Sequence, residues 1–118
     1  MKKDIIIVTG GAGFVGSNLI ENFIKKTKYK IISIDNYSSG FRKNHINSSR
    51  VKYIKGHTKN IEKLIKIPKK VKSIFHFGEF SRIYQSFNMM DECINSNSIG
   101  TNSVFNFCYK NKIKLIYS

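Results

Sequence analysis

The run Val8-Thr9-Gly10-Gly11-Ala12-Gly13-Phe14-Val15-Gly16-Ser17-Asn18-Leu19 constrains the fold more than any other part of the chain. Ile5, Ile6, Ile7 and Val8 before it suit a strand buried on both faces, whereas Phe14, Val15, Leu19, Ile20, Phe23 and Ile24 recur at helical spacing. The glycines therefore fall where strand turns into helix. At such a turn the first glycine allows the tight bend, the second lets the backbone approach a pyrophosphate, and the third permits close packing of helix on strand. Unpaired N–H groups at the helix N-terminus, where the dipole favours negative charge, then face the phosphates.

A glycine pattern alone is weak, because loops collect glycine for many steric reasons. Here a second apolar run, Tyr29 to Ile34, ends in Asp35, about twenty residues beyond the turn and at the place of an acid that binds an adenosine ribose. Its carboxylate can accept both ribose hydroxyl protons and would repel a 2′-phosphate, which favours NAD over NADP. Asp35 also opens Asn36-Tyr37-Ser38-Ser39-Gly40, where Asp and Asn commonly bond nearby backbone. Both roles can hold at once.

A length of 118 residues accommodates one small domain and is short for an oxidoreductase with both cofactor and substrate sites. The formal charge of +14 would attract polyanions in a salt-dependent way. It comes mostly from lysines spread over loops and element ends, amid abundant Asn and Ile, the bias that AT-rich coding produces, and no nucleic-acid recognition element stands out. Cys93 and Cys108, fifteen residues apart, lack the close pairing of metal or redox motifs and read as buried thiols. Only four apolar residues follow Lys2-Lys3-Asp4 before the glycines, unlike a signal peptide, and no apolar run is long enough to cross a bilayer. The expected location is the reducing cytoplasm.

Strand and helix patterns alternate along the chain. Strands are expected at Asp4 to Thr9, Lys30 to Asp35, Val51 to Lys55, Val71 to Phe77 and Lys112 to Tyr117, with a polar loop through Arg50. Helix is expected from Gly13 to Lys26, for a turn or two at Ile61 to Ile65, and on a face made by Ile94, Ser98, Thr101, Phe105 and Cys108. Alternation implies parallel pairing, so the expected fold is α/β: a Rossmann-type doubly wound parallel sheet of about five strands, in the order 3-2-1-4-5, with helices on both faces.

Thr9-Gly10-Gly11-Ala12-Gly13-Phe14-Val15-Gly16-Ser17, Asp35-Asn36-Tyr37-Ser38-Ser39-Gly40, Phe75-His76-Phe77-Gly78 and Asn97-Ser98-Ile99-Gly100-Thr101 together resemble the extended short-chain dehydrogenase/reductase family. Within it they are most similar to the NAD-dependent sugar-nucleotide epimerases and dehydratases, of which UDP-glucose 4-epimerase is the best known. The resemblance implies a cofactor, NAD, held by Gly10, Gly13, Phe14, Val15 and Gly16 at the pyrophosphate and by Asp35 at the adenosine ribose, with Asn36, Ser39 and Gly40 close to the phosphates. It further implies that Phe77 and Gly78 lie along the cofactor and that Asn97 is the helix asparagine of the Asn-x-x-Gly-Thr motif.

The chain also departs from the family pattern. Gly56-His57-Thr58 stands where the family carries Gly-Asp-hydrophobic at the adenine, and Gly78-Glu79-Phe80-Ser81-Arg82 replaces the usual small residues. The family's catalytic serine and Tyr-x-x-x-Lys pair have no counterpart: Tyr29, Tyr37, Tyr53, Tyr84 and Tyr109 each lack a lysine four residues on, and Tyr117 is next to last. Since that tyrosine is the base that takes a sugar hydroxyl proton, the expectation is that residues 1–118 form a partial NAD-binding domain without its substrate domain, inactive alone. His76 is expected to be an interior histidine satisfied by backbone bonds, and His45 and His57 to lie in polar loops. Three function classes stay open: the nucleotide-binding part of a sugar-nucleotide epimerase or dehydratase that meets its substrate only with a complementing C-terminal fragment or as a homodimer, a stand-alone NAD-binding module, or a basic nucleic-acid-binding protein.

Overall fold

In a computed structural model of the protein the described residues are 2–78 and 99–117. The elements are β1 (Ile5–Thr9), α1 (Phe14–Lys26), β2 (Lys30–Asp35), β3 (Val51–Lys55), α2 (Ile61–Leu64), β4 (Val71–His76), α3 (Thr101–Asn111) and β5 (Lys114–Tyr117), with 3-10 turns at Arg42–Asn44, Thr58–Asn60 and Pro68–Lys70. Glu79 to Arg82, Tyr84, Cys93, Ile94, Asn97, Ser98 and Ser118 lie outside the described residues.

The five strands form one parallel sheet in the order β3-β2-β1-β4-β5, as the alternation implies. β1 is its middle strand, and because successive side chains point to opposite faces, it feeds two cores. Ile7 joins Ile34 and Ile74 beneath α2 and α3, in a cluster with Ile61, Val104 and Phe107. Ile6 and Val8 face the other way, onto Ile20 of α1. Burying each such side chain fully contributes about 1.5–3 kcal/mol, so a strand that is apolar on both faces belongs in the interior of the sheet.

Helix ends follow local chemistry. α1 starts after Gly13, which is extended (φ −83°, ψ 179°) and supplies no side-chain cap. At its other end Arg50 donates from Nη2 to Ile24 O (2.6 Å) and from Nη1 to Thr27 O (2.7 Å) and Tyr29 O (3.1 Å), a cation on unpaired carbonyls. α3 ends at Lys112, whose left-handed backbone (φ 55°) turns the chain so that Ile113 N–H donates to Cys108 O at 2.9 Å. β5 therefore begins at Lys114, two residues later than expected.

The buried face of α3 also differs from the expected one. Thr101, Val104, Phe107 and Cys108 are buried, while Phe105 is 42% exposed. Phe105 and Thr101 are four apart and equally compatible with a stripe, but the cluster around Ile74 and Ile113 lies on the side of Val104 and Phe107.

Candidate functional site

The predicted site residues gather at the carboxyl ends of β1, β2 and β4, the edge where open α/β sheets bind ligands. Gly10 follows β1 with φ +71°, a left-handed conformation open to glycine at little cost, and a Cβ there would sit 2.7 Å from Phe77 O. Gly10 and Phe77 are thus packed backbone to backbone. A Cβ on Gly16 would overlap the Gly10 carbonyl oxygen, so α1 approaches the strand end closely only because Gly16 has none. Gly11, not singled out by the motif, lies against the buried Ser33, whose hydroxyl a Cβ would overlap.

Gly13 is different. Among the described residues a Cβ on it would meet only Gly10 O, at 3.3 Å, a milder contact than those at Gly10, Gly11 and Gly16, and beyond it Phe14 and Val15 are exposed. The described residues press less on Gly13 than on the other glycines of the turn, and Gly13 stands at the N-terminus of α1, where the first-turn N–H groups lack intrahelical partners. Ser17 N–H is the first in the helix to meet a backbone acceptor, Gly13 O at 3.0 Å. No acidic residue stands in that turn to compete for the N–H groups.

Asp35 is only 8% exposed and serves the turn role as well as facing the site. Its Oδ1 accepts Tyr37 N–H at 2.8 Å and its Oδ2 accepts Ala12 N–H at 2.9 Å, tying the β2 end to the glycine turn. Each oxygen keeps a further lone pair for a ligand hydroxyl. Asn36 Oδ1 accepts Ser38 N–H at 3.0 Å, Ser39 is exposed, and Gly40 is buried against Asp35 and Ala12 rather than open to a phosphate.

Phe77 and Gly78 are fixed by a residue that the sequence reading passed over. Thr9 Oγ1 accepts the N–H groups of both, each at 2.9 Å, and lies 2.6 Å from His76 Nδ1. With its lone pairs taken, the hydroxyl donates its proton to Nδ1, and His76 Nε2–H donates to Thr101 Oγ1 at 3.0 Å. His76 is fully buried, and the side-chain hydroxyls of Thr9 and Thr101 meet its two ring nitrogens, where backbone bonds were expected. A lone threonine ending an apolar run was the available signal. His45 is no free loop residue either: its Nε2 lies 2.6 Å from Tyr37 Oη, and its ring stacks on Tyr53 with centroids 3.7 Å apart. Burial, then the Arg42 cation, lowers the His45 pKa against a smaller opposing effect of Asp35.

His57 caps the 3-10 turn that carries Thr58, its Nδ1 accepting Lys59 N–H at 3.3 Å, so the residue in the family's acid position has a structural task. No group of three or more His, Cys, Asp or Glu among the described residues could hold a metal ion, and no described helix is long and apolar enough to cross a membrane.

Comparison with known proteins agrees with this geometry. The family model of the NAD-dependent epimerase/dehydratase family matches residues 6–118. The chain is 31% identical to the ADP-L-glycero-D-manno-heptose-6-epimerase of Brachyspira hyodysenteriae over 97% of its own length and 36% of that protein's. It superposes with a TM-score of 0.86 and 25% identity on epimerase Mth375 of Methanothermobacter thermautotrophicus, covering 98% of this chain and 35% of that one. The Bordetella bronchiseptica enzyme WbmG, solved in complex with NAD, shares the fold (TM-score 0.77, 23% identity, 96% of this chain and 36% of that one). The chain spans about a third of the length of each. With a parallel sheet in the order 3-2-1-4-5, a glycine turn opening α1 and a family match over nearly all its residues, the chain belongs to the NAD-dependent epimerase/dehydratase family.

Proposed function

We propose that these residues form the NAD-binding part of a sugar-nucleotide epimerase or dehydratase with 4-epimerase-like chemistry. Gly13 carries this reading: its missing side chain leaves an open face beside the exposed first-turn N–H groups of α1, where a pyrophosphate would be bound by backbone donors and helix dipole together. The NAD complex of WbmG, on the same fold, supports the choice of ligand.

Gly10 and Gly16 shape the turn; Phe14, Val15 and Gly16 offer N–H groups to the phosphates. Asp35 accepts from the ribose hydroxyls, and the Thr9-anchored Phe77–Gly78 backbone forms the opposite wall. Asn36 and Ser39 lie on the loop beyond Asp35, and Gly40 supports Ala12 beneath the turn. Bound NAD supplies a hydride acceptor. No tyrosine among the 118 residues has a lysine four positions on, so these residues bind and orient, and the proton-transferring group is assigned to a complementing segment. A nucleotide sugar is the substrate only of that completed assembly.

Calorimetric titration tests the assignment. The chain should bind NAD more tightly than NADP, and Asp35→Ala should weaken NAD by about 1–3 kcal/mol, the cost of leaving polar partners unpaired. Equal affinity for the two dinucleotides in the wild type would sink the role of Asp35.

A further inference from the structure

We propose that Asn44 is a positioning residue for the phosphate-binding turn. Ala12, in the middle of that turn, is gripped on both sides of its residue by the end of β2 and the loop that follows it. Its N–H donates to Asp35 Oδ2 at 2.9 Å, and its carbonyl accepts from Phe41 N–H at 3.1 Å and from Asn44 Nδ2 at 2.8 Å. Gly40 makes the approach possible, because a Cβ there would lie 3.0 Å from Ala12 Cβ and 2.8 Å from Asp35 Oδ2.

The consequence concerns α1. Ala12 O stands four residues before Gly16, so in a helix that started earlier it would accept Gly16 N–H. Two donors from the loop already fill its lone pairs, the helix starts after Gly13, and Gly16 N–H stays with those of Phe14 and Val15 at the dipole's positive end. Among the described residues Asn44 is the one side chain that donates to Ala12 O; the other donor is backbone. Asn44 thus acts through Ala12, thirty-two residues away in the chain.

This inference rests on the NAD reading above, and its test separates the two. The full chain carrying Asn44→Ala or Asn44→Leu is titrated with NAD and with adenosine, which lacks phosphate, and hydrogen exchange at the Phe41 amide is followed without ligand. The expected result is Phe41 exchange faster by about tenfold, NAD binding weaker by about tenfold, and adenosine binding changed by less than about twofold. Equal weakening of NAD and adenosine would overturn the proposal, since it marks a loop that has merely loosened; so would unchanged NAD affinity or unchanged Phe41 exchange. A wild-type chain that binds no NAD would overturn the functional reading and this one with it, whereas wild-type binding undiminished in both variants overturns this one alone.

Discussion

Asp35 shows how a single residue can carry two roles that the sequence leaves side by side. Its position after an apolar run is legible, and so is its tendency to bond nearby backbone at Tyr37; its hold on Ala12, twenty-three residues back, is not. Thr9 and His76 illustrate the same limit at 67 residues' separation. An interior histidine needs partners, but which hydroxyls reach it depends on how β1, β4 and α3 pack. Cys108 was legible as a buried thiol, and burial pushes its pKa up to about 11. At pH 7 only about one thiol in ten thousand is then the reactive thiolate. Iodoacetamide treatment followed by peptide mass mapping should leave Cys108 unmodified in the folded chain and modify it after denaturation; equal labelling in both states would contradict its burial.

Among the elements, those with strong periodicity match the sequence reading: β2 and β3 start and end where expected, and α1 begins one residue after Gly13. A strand buried on both faces has little freedom of register or neighbour, which is why β1 and β2 could be placed from residues alone. α3 was harder, because its buried stripe is decided by where β4 and β5 present Ile74 and Ile113. The loop from Asn36 to Arg50 was the least legible, since its order comes from Tyr37, His45 and Tyr53 stacking and bonding across it rather than from any repeat.

That loop should respond to pH. The His45 pKa is lowered in the fold from 6.5, so its neutral form is favoured there; the stability it contributes is complete above pH 6.5 and lost as pH falls through the lowered folded value. Amide exchange of the Phe41–Asn44 turn, followed from pH 7.5 to 5, should accelerate toward acid beyond the intrinsic chemical dependence. His45→Phe, which keeps an aromatic face for Tyr53, should flatten that response. An identical acid response in wild type and variant would rule out His45 as its source.

At the scale of the whole molecule, one end of the sheet carries the candidate site and one side remains open. β5 is an edge strand, and beside it Tyr117 is 50% and Phe105 42% exposed, in edge-to-face contact with each other. Phe107 and Ile113, by contrast, are buried. An apolar edge of this kind invites pairing and self-association. Light scattering should therefore detect self-association of the 118-residue chain as its concentration is raised, and the chain should show no turnover of UDP-glucose with NAD; co-expression with a segment carrying Tyr-x-x-x-Lys should suppress the self-association and supply activity. Turnover by the chain alone, surviving Tyr84→Phe and Tyr117→Phe, would place the chemistry within these residues.

On the proposed function, the glycine turn at the carboxyl edge holds the dinucleotide. Amide NMR of the 15N-labelled chain during NAD titration reads this directly. Saturable shifts are expected at Gly13, Phe14, Val15, Gly16 and Gly78, abolished by Gly13→Val, which adds bulk at the N-terminus of α1. Shifts confined to another surface, or NAD binding undiminished in Gly13→Val, would contradict it.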